Sequence, residues 1–214
     1  MFQKLLELKP EVIVILALLV VIAVLMTYLG RHRKFKFDTR VIVYGSLSVT
    51  LSMILSYIRL YRFPQGGSVT PAAMLPLILY AVMFGPLPGI IAGFAFGMLR
   101  LIQDPYIIHW AQFLLDYPLA YGALGLGGFY RKNLTVACIF AGFGRFLMSF
   151  LSGVIFFGIY APEGMNVWLY SFIVNFFAIG GNTLICILIA LIPQVRNAIN
   201  HVQRSVPNSH SHGA

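Results

Sequence analysis

Within the apolar stretches of this 214-residue chain one carboxylate stands apart, Asp116. The other acids, Glu7, Glu11, Asp38, Asp104 and Glu163, fall at expected helix ends or in loops. A carboxylate at bilayer depth costs roughly 2.5–3.5 kcal/mol on insertion scales, so Asp116 should face a cavity or a partner. His109, Gln112 and Asp116 recur at helical spacing, and Tyr106, Trp110, Phe113 and Tyr117 form the adjoining stripe. Such a face suits a cationic, planar heterocycle, because the acid supplies charge and the rings supply stacking and cation–π attraction. Two plainer readings stand beside it. Asp116 could pair with Arg145 and merely lock two helices together, and each ring taken singly could be ordinary helix packing.

Two further faces carry polar groups. Arg145, Ser149, Ser152 or Gly153, and Phe156 or Phe157 recur at helical spacing; the small residues there also suit close helix packing. Farther on, Ser171, Asn175 and Asn182 share a face with Tyr170 on its flank. Interhelical hydrogen bonds and solute contact explain that set equally well, with Asn175 the better candidate for contact.

The elements that must position these residues are membrane helices. Hydrophobic residues make up 59% of the chain and charged ones 10%, with a mean hydropathy of +0.86, against roughly 25% charge in a soluble protein. The fold class is therefore all-α, a polytopic transmembrane bundle. The net charge of +9 comes from basic clusters between apolar segments, which is membrane topology and not a nucleic-acid surface. Cys138 and Cys186 lie in apolar runs without metal-ligand or redox spacing.

Seven apolar segments can be read: Val12 to Leu29, Val41 to Tyr61, Leu75 to Phe84, Ile90 to Ile102, Tyr106 to Phe129, Leu134 to Ile159 and Val167 to Ile192. Gly85 to Gly89 reads as a tight turn. This divides the chain into an extra N-terminal helix (1–30), a basic linker (31–40) holding Arg31, Arg33 and Lys34, a six-helix core (41–196) and a disordered tail (197–214) whose histidines read as solvated. The basic linker and the Arg131–Lys132 pair should be cytoplasmic, which puts the N-terminus outside and the C-terminus inside a plasma membrane. Arg59, Arg62 and Arg100 fall on the outer side against that rule; snorkelling or a place in a pocket wall accommodates them.

The sequence holds no phosphate-binding Gly-rich loop ending in Lys-Ser/Thr, no His-Glu-x-x-His and no Gly-x-Ser-x-Gly. No enzymatic activity, metal or cofactor is expected, and ATP-driven transport would need separate ATPase subunits. A rival reading is a self-sufficient secondary transporter for a cationic aromatic solute, with Asp116, Arg145 and His109 as a proton relay.

Three ordered segments carry a family resemblance: Phe63-Pro-Gln-Gly-Gly-Ser-Val-Thr70; Ile107-Ile-His-Trp-Ala-Gln-Phe-Leu-Leu-Asp-Tyr-Pro-Leu-Ala-Tyr-Gly-Ala-Leu-Gly125; and Phe150-Leu-Ser-Gly-Val-Ile-Phe-Phe157 followed by Tyr160-Ala-Pro-Glu-Gly164. Over about residues 40 to 195 the chain resembles the thiamin-binding S components of energy-coupling factor (ECF) transporters. The resemblance implies a six-helix bacterial membrane subunit that captures thiamin or a thiamin-like compound from outside. Its partners would be a coupling transmembrane subunit and two ATPases. It places Asp116, Tyr117, Tyr106, Arg145, Gly153, Tyr170 and Asn175 in the substrate pocket, with Gly66 and Gly67 in a lid over it. His109 is included from its helix face. Ser149 stands where the family has a histidine and Phe157 where it has a tryptophan, for which Trp110 or Trp168 would compensate. Small residues on the first core helix, Ser46 and Thr50 among them, would meet the coupling subunit.

Overall fold

The computed structural model describes residues 38–63 and 67–197. The N-terminal apolar segment, most of the basic linker, Gly66 and the histidine-bearing tail lie outside these residues.

The first described helix, α1, spans Thr39–Tyr57, with Asp38 as N-cap accepting from the Thr39 N–H. It stops short of the expected Tyr61 because the chain turns there into a small hairpin. Leu60 N–H bonds Val69 C=O at 2.8 Å, and β1 (Tyr61–Arg62) pairs antiparallel with β2 (Ser68–Val69).

Helix α2, Leu75–Phe84, is short and buried over most of its length. It ends at Gly85, whose φ of +102° is open only to glycine at low cost. The expected turn from Gly85 to Gly89 is corrected here: Gly85 alone makes it, and Pro86 already opens α3, Pro86–Gln103. Pro86 and Pro88 both sit in the first turn, where their missing N–H groups would have had no intrahelical partner.

Helix α4 is composite: Trp110–Leu114, a π-helical turn Leu115–Leu119, Ala120–Gly122 and a 3₁₀ stretch Ala123–Phe129. It starts at Trp110 and not at Tyr106, because the His109 side chain caps it by accepting from the Ala111 N–H. Pro118 inside the π turn supplies no N–H, which is the local cause of the irregularity. Helix α5, Leu134–Phe156, is capped by Asn133 and gives way to a 3₁₀ turn, Gly158–Tyr160, before the expected Ile159. Helix α6 runs Val167–Leu191 with its own π turn at Phe176–Gly180, directly after Asn175.

Helices α1, α3, α5 and α6 are long and apolar enough to cross a bilayer. The C-terminal half of α4 packs against α2, α3 and α5, while α1 lies on α2 and α3, and α6 on α5. Met74, Leu77, Ile78, Phe96, Leu124 and Ala141 form the centre of the core. Large apolar side chains face outward instead, Ile42, Leu47, Leu51 and Ile54 on α1 for example, as lipid requires.

The approach of α3 to α4 depends on a glycine stripe that the sequence analysis did not single out. Gly89, Gly93 and Gly97 stand four apart, and a Cβ on Gly93 or Gly97 would collide with the backbone carbonyl of Tyr121 or Tyr117 respectively. Gly97→Leu should therefore drive the helices apart and lower the thermal unfolding midpoint in detergent by roughly 5 °C or more. Gly180→Ala, with nothing within 4 Å of the added Cβ, should leave the midpoint unchanged or slightly raised.

Candidate functional site

The glycine stripe and the π turn of α4 together hold Asp116 and Tyr117 against one large cavity. Its volume is about 470 Å³, within the range that encloses a small organic ligand. The π turn of α6 widens the opposite wall at Asn175, Ala178 and Ile179. The mouth is formed by Arg62, Phe63 and Gly67 of the hairpin, by Asp104 to Tyr106 between α3 and α4, and by Phe157 at the end of α5.

Asp116 is held through one oxygen. Its Oδ2 accepts from Gln112 Nε2 at 2.7 Å and from Ser152 Oγ at 2.8 Å. Both donors are buried. Gln112 also ties down the preceding loop, accepting from the Ile108 N–H and donating to the Tyr106 C=O. Two donors on Oδ2 orient the carboxylate while Oδ1 takes no hydrogen bond from the described residues. A hydrogen-bonded carboxylate with one oxygen to spare is a recognition group for a cation or a donor-rich ring.

Aromatic residues build the outer walls. Tyr106 stacks on Phe157 with centroids 5.9 Å apart, and its hydroxyl meets that of Tyr160 at 2.7 Å. The Tyr117 hydroxyl accepts from the Tyr106 N–H and donates to the Asp104 C=O, which locks the loop above α4. Asp104 itself pairs with Arg62 at 3.0 Å and Arg59 at 3.3 Å. The three arginines expected to break the positive-inside pattern are thus placed: Arg59 and Arg62 clamp Asp104, and Arg62 and Arg100 line the cavity.

Ten of the expected pocket residues line this cavity: Asp116, Tyr117, Tyr106, Arg145, Ser149, Gly153, Phe157, Tyr170, Asn175 and Gly67. Gly66 lies outside the described residues. His109 is a correction. Its Nδ1 is spent on capping α4 and its ring stacks on Phe156, outside the cavity lining. Trp110 and Trp168 are corrections as well. They are more than half exposed on the outer surface and cannot replace Phe157 as the stacking wall.

The Asp116–Arg145 ion pair does not form. Arg145 instead donates to the Tyr121 hydroxyl at 3.1 Å, rests its charge over that ring at 4.3 Å, and touches the Met74 sulfur. With His109 capping a helix and Arg145 turned to Tyr121, the proton relay of the rival transporter reading is not assembled. Ser171 and Asn175 bond to each other, so that pair is partly interhelical glue after all, through Ser171 Oγ to the Phe150 C=O. Asn182 accepts from Thr70 N–H and Oγ1 and donates to the Ser68 C=O, pinning the hairpin to α6.

Sequence reasoning missed Tyr121 and Ser68 in the cavity wall and left the role of Gln112 undefined. For Tyr121 the signal was present: it stands four residues after Tyr117 on the same face.

A bundle of membrane-crossing helices that encloses a cavity walled by aromatic rings, with an oriented carboxylate inside, is a membrane protein built to take up a small polar solute. Comparison with known proteins makes the class particular. The chain belongs to the thiamine transporter protein family, whose profile matches residues 42–201, and the expectation read from the three sequence segments is borne out. It is 30% identical over 176 residues to the thiamine transporter ThiT of Lacticaseibacillus paracasei, covering 71% of this chain and 83% of that one. It is 29% identical over 160 residues to the thiamine transporter ThiT of Bacillus subtilis, covering 67% and 80% respectively. The crystal structure of ThiT from Listeria monocytogenes has the same fold, with a TM-score of 0.67 at 22% identity over 76% of this chain and 98% of that one.

Asp104→Ala removes the shared anchor of Arg59 and Arg62. Partly exposed ion pairs contribute only about 0–1 kcal/mol each, so the global unfolding midpoint should move little. Hydrogen exchange at residues 59–63 should accelerate, because the hairpin loses its tie to the α3–α4 loop.

Proposed function

We propose that the cavity binds thiamin or a thiamin-like compound, and that the chain is the substrate-capturing subunit of an ATP-driven uptake system. The observation that carries this reading is the placement of Asp116, oriented by Gln112 and Ser152, in one cavity with Tyr106, Tyr117 and Phe157. Thiamin offers an aminopyrimidine that donates hydrogen bonds and a thiazolium that carries a fixed positive charge. The free Oδ1 of Asp116 accepts from or pairs with these groups, and the Tyr106–Phe157 wall stacks on a planar ring.

The mouth faces the outside of a bacterial plasma membrane. This follows from the positive-inside rule applied to Arg131 and Lys132, at the α4–α5 connection, with the hairpin and the α3–α4 and α5–α6 connections at the other end of the helices. Arg131 also bonds the Val82 and Met83 carbonyls at the end of α2, which fastens that inner end. The C-terminus is then cytoplasmic. Energy comes from partner subunits, a coupling membrane protein and two ATPases of the ECF type, since the chain carries no nucleotide-binding loop. Ser46 and Thr50, exposed four residues apart on α1, give a low-profile surface on which a coupling helix can pack.

Titration of the purified protein with thiamin tests the reading. Saturable one-to-one binding is expected, weakened roughly 10- to 100-fold by Asp116→Asn, the worth of a charge-assisted hydrogen bond. No binding of thiamin or of its aminopyrimidine fragment, or an unchanged Kd in the variant, would overturn it.

A further inference from the structure

The apolar run ahead of α1, residues 12–29, is long enough to cross a bilayer as a helix. Residues 30–37 then lead to Asp38, the N-cap of α1. Eight residues reach no farther than about 29 Å even when fully extended, and connections of this length join helices that are antiparallel neighbours. The run therefore crosses beside α1, in the opposite direction.

Helix α1 has a free side to receive it. It is the least buried of the four spanning helices, packed on α2 and α3 through Val41, Gly45, Ser52 and Ser56. On the far side Val43, Leu47, Leu51 and Ile54 are each at least half exposed, and their spacing of four, four and three residues keeps them in one row. Ser46 and Thr50 are exposed beside that row. The composition of the run decides between the two surfaces. Residues 12–26 contain no glycine, no hydroxyl and no amide side chain. They offer Ser46 and Thr50 nothing to bond, and their bulk prevents the close backbone approach for which a small-residue stripe is suited. Against the aliphatic row, branched side chains on both helices interdigitate without stranding a polar group.

The charges beyond the helix ends agree with this pairing. Arg59 and Arg62 share Asp104, and 61% of the Arg62 side chain remains exposed. In an antiparallel pair Glu11 comes level with Tyr57, and Glu7 with Leu60 and Tyr61, which brings two carboxylates to those arginines. Lys4 and Lys9 in the same stretch extend into water.

We infer that residues 12–29 form a helix docked antiparallel on the Val43, Leu47, Leu51 and Ile54 row of α1, leaving Ser46 and Thr50 open beside it. The added helix thus has an intramolecular seat, and the stripe assigned to the coupling subunit stays free.

Disulfide cross-linking of the full chain in membranes, expressed without partner subunits, tests the docking. With Leu51→Cys fixed, a second cysteine is moved through positions 14–21 and copper phenanthroline drives oxidation; the single variants control for the buried Cys138 and Cys186. The replaced α1 residues are exposed, so the variants should fold as the parent does. Cross-links within one chain are expected, strongest at Leu16 or Ala17, which stand level with Leu51, and roughly fivefold weaker on the opposite side of the helix. Leu47→Cys should move the optimum to Val20 or Val21, and Thr50→Cys should react roughly fivefold less than Leu51→Cys. Cross-links that favour Thr50→Cys overturn the inference and give the small-residue stripe to the run. Links that join two chains overturn it in favour of a second copy. Yields no higher than those of Leu184→Cys, on the exposed side of α6, overturn it in favour of lipid.

Discussion

The placement of one carboxylate inside a membrane bundle constrains the rest of this structure. Asp116 is tolerable there only because two buried donors share its Oδ2, one from its own helix and one from α5. Each donor makes a demand. Gln112 must sit a turn earlier on α4, where it also fixes the α3–α4 loop, and Ser152 must face it across the α4–α5 contact. The helices therefore cannot slide past one another without stranding a charge in an apolar medium.

Close backbone approach supplies the rigidity that this arrangement needs. In lipid there is little hydrophobic gain from helix association, so contact quality decides it. Gly93 and Gly97 let α3 lie directly on the carbonyls of Tyr121 and Tyr117, the residues that bracket the cavity on α4. The π turns of α4 and α6 do the opposite, opening each helix where the cavity needs width. At the mouth the hairpin is pinned from two directions, by Asn182 of α6 and by Asp104 beyond α3.

Much of this was legible in the sequence, for identifiable reasons. The apolar segments and their basic flanks follow from the cost of charge in hydrocarbon, so the six core helices agree with expectation to within a few residues at their ends. Asp116 was conspicuous because a lone acid in an apolar run has no cheap alternative. What sequence could not resolve depends on partners distant in the chain. Arg145 bonds Tyr121 and leaves Asp116 Oδ2 to Gln112 and Ser152, a choice of partners that periodicity does not encode. His109 shares a helical face with Asp116 on paper, but α4 begins one residue after it, so its side chain serves as a cap. The two tryptophans, attractive as stacking surfaces by type alone, sit on the wrong side of their helices.

The central claim is that a ligand occupies this cavity with its positive end at Asp116, and a structure of the protein bound to thiamin tests it most directly. The account predicts density between Tyr106, Phe157 and Asn175, with a ligand nitrogen or the thiazolium ring against Asp116 Oδ1 and the Gln112 and Ser152 bonds to Oδ2 intact. Thiamin bound elsewhere on the bundle, or bound here with Asp116 turned away from it, would contradict the account.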